Sequence, residues 1–249
     1  MIKIILSAFA DFIWPPKCLI CNNSLENENK IICDECEKGI ILFSPPFCFH
    51  CGKPLFYPGD FSERLCASCK EEKDHFDRAF IIGSYENSLR EAVHQFKYNK
   101  KILLRKYFSI LINDYIEKNN VLDKIDVIVP VPLFLTKKRE RGFNQSELLA
   151  KEISKKWDLP VLTENLYRAR HTEPQYNLDY TRREKNIKGA FKLKDKNIVE
   201  GKKILLIDDV ITTGATINEC SRILKKEGRA KNVLVLSLAG KLQDYPLRG

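Results

Sequence analysis

Apolar positions along this chain fall into two alternating patterns. Continuous apolar runs occur in Arg78-Ala-Phe-Ile-Ile82, Asp126-Val-Ile-Val-Pro-Val-Pro-Leu133, Lys203-Ile-Leu-Leu-Ile207 and Asn232-Val-Leu-Val-Leu-Ser-Leu238. Runs with no polar face predict strands buried on both sides, the habit of a parallel sheet. Gly189-Ala-Phe-Lys-Leu193 reads as a shorter strand. Between the runs, apolar residues recur at helical spacing: Leu89, Ala92, Val93 and Phe96; Leu103, Leu104, Phe108, Leu111 and Tyr115; Leu148, Leu149, Ile153 and Trp157. A further helical pattern runs from near Ala215 to about Lys226. Ser88-Leu-Arg-Glu91 predicts a capping box for the first helix, and Asn144 or Ser146 is placed to cap the third. Alternation of this kind predicts an α/β body over residues 76–249, a mostly parallel sheet flanked by helices.

Residues 1–75 do not follow this alternation. Ile2, Ile5, Leu6, Phe9 and Ile13 share one helical face, which predicts a short packed helix. The same segment has one Lys and an Ala-x-Ala, but its apolar stretch is shorter than the ~7–15 residues of a signal peptide. No run approaches the ~20 apolar residues that span a bilayer, and a cytoplasmic location is expected. Four Cys-x-x-Cys pairs then follow, Cys18/Cys21, Cys33/Cys36, Cys48/Cys51 and Cys66/Cys69. Each such turn aims two thiolates at one point, and two turns complete a closed tetrahedral zinc site. A disulfide framework would need an oxidising compartment, for which no export signal speaks. Two structural zinc ions are therefore expected. Sequential pairing makes two stacked ribbons and is preferred; an interleaved cross-brace would join alternate pairs. The ninth cysteine, Cys220, falls inside a helical pattern and reads as a small buried apolar residue.

Charge separates the two parts further. The chain carries +9 overall; residues 1–75 hold 8 basic and 11 acidic side chains, residues 76–249 hold 34 and 22. The basic body suits a polyanion such as pyrophosphate or nucleic acid, whereas the cysteine module does not.

The strongest chemical signal is Lys203-Ile-Leu-Leu-Ile-Asp-Asp-Val-Ile-Thr-Thr-Gly-Ala-Thr216. Asp208 and Asp209 lie at the carboxyl end of a buried strand, where open α/β sheets place ligands. Thr212, Thr213, Gly214, Ala215 and Thr216 form a turn into a helix, which aims backbone N–H groups and hydroxyls at one phosphate. Carboxylates repel a phosphate but accept hydrogen bonds from a sugar diol. Together they describe a ribose 5-phosphate site, and the run resembles the phosphoribosyl diphosphate (PRPP) motif of type I phosphoribosyltransferases. A P-loop would need Gly-x-x-x-x-Gly-Lys-Ser/Thr, and no such stretch is present.

Two basic runs accompany the motif. Thr136-Lys-Lys-Arg-Glu-Arg-Gly-Phe-Asn-Gln145 follows directly on a predicted strand, so that Val131, Leu133, Lys138, Arg139 and Arg141 are placed to line a pyrophosphate. Lys97 to Lys106 is rich in cations and free of acids. With Arg182 and Arg183 from a weakly periodic basic segment, Lys97, Lys100 and Lys101 are candidates for weak, non-specific contact with nucleic acid. Phe96, Tyr98 and Phe143 are the nearby aromatics for base stacking. The segments Arg168-Ala-Arg-His-Thr-Glu-Pro-Gln175 and Tyr180-Thr-Arg-Arg-Glu-Lys-Asn186 read as a loop, the usual place for a lid. His171 within it reads as an exposed loop residue.

Taken together, the cysteine ladder, Phe96-Lys-Tyr98, Val129-Pro-Val-Pro-Leu133, Arg141-Gly-Phe-Asn-Gln145, the region from Gln175 to Phe191 and Ile207-Asp-Asp-Val-Ile-Thr-Thr-Gly-Ala-Thr216 resemble the ComF family over almost the full length. Asn99-Lys100 departs from the Gly-Asp that many family members carry at that turn. The resemblance implies a double zinc ribbon joined to a type I phosphoribosyltransferase fold, with a role in bringing transforming single-stranded DNA into the cytoplasm through uptake machinery. Two function classes follow. One is a protein that binds PRPP or ribose 5-phosphate and handles DNA. The other is a magnesium-dependent phosphoribosyltransferase with an unknown acceptor, using Asp208 and Asp209 as catalytic residues.

Overall fold

A computed structural model describes residues 16–55, 65–71, 74–170 and 186–241. The expected N-terminal helix and the segment carrying His171, Arg182 and Arg183 lie outside these residues. In chain order the elements are α1 (Asp34–Lys38), α2 (Ala67–Glu71), β1 (Arg78–Ser84), α3 (Asn87–Tyr98), α4 (Leu104–Asn119), β2 (Val127–Pro130), α5 (Leu135–Arg141), α6 (Gln145–Trp157), β3 (Leu166–Arg168), β4 (Phe191–Leu193), β5 (Lys203–Ile211), α7 (Ala215–Arg222) and β6 (Asn232–Gly240). α7 continues into a wider π turn over Ile223–Glu227.

The main sheet is parallel with strand order β1-β6-β5-β2. β5 is an inner strand, which explains its unbroken apolar run: Ile204, Leu205, Leu206 and Ile207 are all buried. Helices cover both faces and divide the core. Phe96, Phe108, Leu149 and Ile153 pack with Leu205 and Ile207 on one side. Cys220, Ile223 and Leu224 pack with Ile204 and Leu206 on the other.

Neither sheet edge is left bare. On the β2 side, Ile128 pairs in parallel with Val161. On the β1 side, Leu42 pairs antiparallel with Gly83, Phe43 donates to the Ile82 carbonyl, and Ala79 donates to His50. The cysteine-rich part therefore caps the exposed edge of β1 and blocks edge-to-edge pairing. Its Cys18, Ile20, Ile32 and Cys36 belong to the same apolar cluster as Phe80 and Ile82, so packing runs across the expected 75/76 boundary.

Several local expectations are corrected. α3 starts at Asn87 with Glu86 as N-cap and no side-chain cap, so Ser88 is not the capping residue. Arg168, read as the start of a loop, is the last residue of β3, which pairs antiparallel with β4. The Lys137–Arg141 run forms α5 and ends at Gly142 in the left-handed region, φ 83°. β5 continues past the two aspartates to Ile211 instead of stopping at them. Phe96 is fully buried against Phe108 and Phe143 and offers no stacking face, whereas Tyr98 is 57% exposed.

Candidate ribose-phosphate site and zinc ribbons

The two metal sites follow from short-range geometry. The sulfur atoms of Cys18, Cys21, Cys33 and Cys36 lie within 4.8 Å of one another, as do those of Cys48, Cys51, Cys66 and Cys69. Pairing is thus sequential, as preferred, and the cross-brace is ruled out. All nine cysteines are free, and Cys21–Cys33 and Cys51–Cys66 sulfurs are 3.7 Å apart. That is far from a disulfide but close to the edge of a zinc–thiolate tetrahedron, about 3.8 Å for ~2.3 Å Zn–S bonds. Backbone N–H groups point at the sulfurs: Ile20 and Cys33 at Cys18, and Cys66 at Cys48. The donor set fits structural zinc, with no open position for a substrate.

The two ribbons also repeat one another. Pro16-Lys-Cys-Leu-Ile-Cys-Asn-Asn-Ser-Leu25 and Pro46-Phe-Cys-Phe-His-Cys-Gly-Lys-Pro-Leu55 share Pro, both cysteines and Leu. Asn22 donates to Cys18 and Gly52 to Cys48, each at 3.0 Å. Leu25 donates to Pro16 and Leu55 to Pro46. Asn22 and Gly52 both have positive φ, 64° and 71°. This repeat of turn and hairpin goes beyond the cysteine ladder alone.

In the body, register places the carboxylates. Pro130 of β2 pairs with Ile207, so Asp208 is one residue beyond the end of β2, level with the Val131–Leu133 stretch. A pocket opens there, lined by Asp208 and residues 210–217. Gly214 is the N-cap of α7 with φ 80° and makes no side-chain cap, and a Cβ built on it meets nothing within 4 Å. The first-turn N–H groups thus face open space at the positive end of a helix, as an anion site requires.

Two segments close on the aspartates. Ser146, in the first turn of α6, donates to Asp208 Oδ1 at 3.1 Å, and the Asp209 backbone N–H donates to the same oxygen at 2.9 Å. Asn144 caps α6 by accepting from Ser146 N–H while its amide donates to the Val131 carbonyl. Lys97, near the end of α3, places its ammonium 2.6 Å from Asp209 Oδ2. Next to it, Arg141 lies 4.9 Å over the Tyr98 ring and donates to Gln145. The Phe-Lys-Tyr and Arg-Gly-Phe-Asn-Gln stretches thus meet at one wall.

These contacts set the charge. Burial and then Asp209 push the Asp208 carboxyl up to about 7, against the pull of Lys97 and the two hydrogen bonds. Burial acts to lower Lys97, but Asp209 and Asp208 outweigh it and hold the ammonium above its ordinary value.

The structure sorts the expected residues as follows. Asp208 and residues 212–216 come together. Val131 stands behind them: its N–H donates to Ile207 and its carbonyl accepts from Asn144, so its backbone serves the loop rather than an anion. Lys138 pairs with Glu147 at 3.3 Å, while Arg139 is exposed. Lys100 is exposed and Lys101 half-buried, whereas Lys97 is turned inward, so its expected place on a DNA-facing surface is corrected. Sequence reasoning missed the contacts of Lys97 with Asp209 and of Ser146 with Asp208, since neither a cation in a basic run nor a helix cap announces a distant carboxylate. It also missed Glu219, buried on α7, which accepts from Gly189 N–H and Arg222 and ties the turn before β4 to the helix that starts at the pocket.

Comparison with known proteins bears on this arrangement. The double zinc ribbon domain family matches residues 9–70, and the phosphoribosyl transferase domain family matches residues 100–247. The chain is thus a phosphoribosyltransferase-fold protein carrying a double zinc ribbon. Competence protein F of Haemophilus influenzae is 33% identical, over 85% of this chain and 92% of that protein. DNA utilization protein YhgH of Escherichia coli K12 is 29% identical over 87% and 93%, and competence protein ComFC of Bacillus subtilis is 25% identical over 89% and 93%. The chain belongs to the ComF family.

Proposed function

We propose that the body binds PRPP or a ribose 5-phosphate and that the protein uses this ligand-binding body in the uptake and handling of transforming single-stranded DNA. The 5-phosphate is assigned to residues 212–216, the ribose diol to Asp208 and Asp209, and the pyrophosphate to the rim at Leu133, Lys138, Arg139 and Arg141. The observation that carries the reading is a carboxylate pair on an inner strand beside a pocket whose N-cap glycine leaves the helix start open. Magnesium suits these residues: Asp208 and Asp209 supply hard oxygen ligands, and PRPP and water would supply the rest. The ion would neutralise charge on the pyrophosphate.

The DNA role draws on the names of the relatives, competence protein and DNA utilization protein, and on the basic body. Isothermal calorimetry with PRPP and magnesium tests the ligand; a chain that binds neither PRPP nor ribose 5-phosphate refutes it. Turnover is the second reading, favoured by Asp208 at the pocket, whose carboxyl is pushed up to about 7 by burial and by Asp209. Pyrophosphate release from PRPP across a panel of bases and amines decides between a binding protein and a transferase.

A further inference from the structure

The Lys97–Asp209 contact is more than a neutralised charge. Its side chains are 17% and 9% exposed, and the 2.6 Å contact uses Oδ2, an acceptor that a ribose hydroxyl would need. Oδ2 is buried, so a diol that reached this oxygen would have to enter the space the ammonium now fills. Expelling one member of a buried pair leaves an uncompensated charge, so the displaced ammonium requires a new anion. Phe96, fixed in the core, anchors the helix turn that bears Lys97, and Tyr98 beside it lies under Arg141 on the proposed pyrophosphate rim. The flexible stem of a lysine can carry its charge from the carboxylate to that rim.

We propose that Lys97 changes partners on ligand binding, from Asp209 to the pyrophosphate group of PRPP, so that diol capture and pyrophosphate capture are coupled through one ammonium. This rests on the ribose-phosphate reading above. It makes Lys97 a specificity residue for the pyrophosphorylated sugar over the sugar monophosphate. With ribose 5-phosphate, which has no pyrophosphate, the lysine gains nothing in exchange.

The test is calorimetry of the full chain with two probes, PRPP with magnesium and ribose 5-phosphate. Lys97→Gln is expected to weaken PRPP on the order of tenfold or more, the loss of one charge-assisted hydrogen bond. It should leave ribose 5-phosphate unchanged or slightly tighter, and Lys97→Arg should restore most of the PRPP affinity. Equal losses for both probes, or no loss for PRPP, overturn the proposal. If wild type binds neither probe, the site reading itself fails, and the exchange with it. Should Lys97→Gln not fold because Asp209 is stranded, Lys97→Gln/Asp209→Asn removes both charges. Read against Asp209→Asn alone, a further loss for PRPP only supports the exchange, and its absence overturns it.

Discussion

Asp208, proposed to bind the ribose, carries a cost in stability. A carboxyl raised from 3.8 to about 7 holds its proton in the folded chain at pH values where the unfolded chain has lost it. The folded state then binds the extra proton, so stability falls as pH rises from about 4 through about 7 and levels off above. Asp208→Asn is expected to flatten this slope and to raise the melting temperature at pH 8 when no ligand is added. Urea melts between pH 4 and 8 check it; an unchanged slope in the variant contradicts the assignment. At the same scale, Asp208, Asp209 and the Thr-Gly turn were legible because their chemistry is written in consecutive residues. Lys97 was not, because its role depends on a carboxylate more than a hundred residues away.

At the scale of elements, the buried runs fixed the four main strands because parallel strands inside a sheet need apolar residues on both faces. β3 escaped, since three residues with Arg168 at one end carry no period to read. The edge contact between the second ribbon and β1 is equally invisible in sequence, yet it makes a sharp prediction. A Cβ on Gly52 would lie 2.4 Å from the Ala79 carbonyl oxygen, and its φ of 71° is in the left-handed region. Gly52→Ala should cost roughly 2–5 kcal/mol, from backbone strain plus overpacking. Asn22→Ala, at the equivalent turn of the first ribbon, should cost only about 1–2 kcal/mol. Denaturant melts of the two variants check the order, and equal costs would mean that the ribbon does not lean on β1.

For the whole molecule, two expectations join metal and charge to the fold. Elemental analysis should find two zinc ions per chain, each structural site contributing on the order of 10–16 kcal/mol. Because the first ribbon shares its apolar cluster with β1 and α3, chelation should lower the melting transition of the body as well as unfold the ribbons. A body transition untouched by chelation would show the two parts to be independent. The basic body should also bind single-stranded DNA with affinity falling as salt rises, at about −0.7 per phosphate neutralised. Lys100→Glu/Lys101→Glu should flatten that slope in fluorescence anisotropy, whereas Asp208→Asn should not; the reverse pattern would move the DNA surface elsewhere. No helix of the described residues is long and apolar enough to cross a membrane.

The measurement closest to the central claim is calorimetric titration of PRPP with magnesium into wild type and Asp208→Asn/Asp209→Asn. Each hydrogen bond lost between a ribose hydroxyl and a charged carboxylate should cost roughly 1.5–3 kcal/mol. Wild type is expected to show one site per chain, and the double variant a site at least about tenfold weaker with its circular dichroism unchanged. Equal affinity in the two proteins would contradict the central claim.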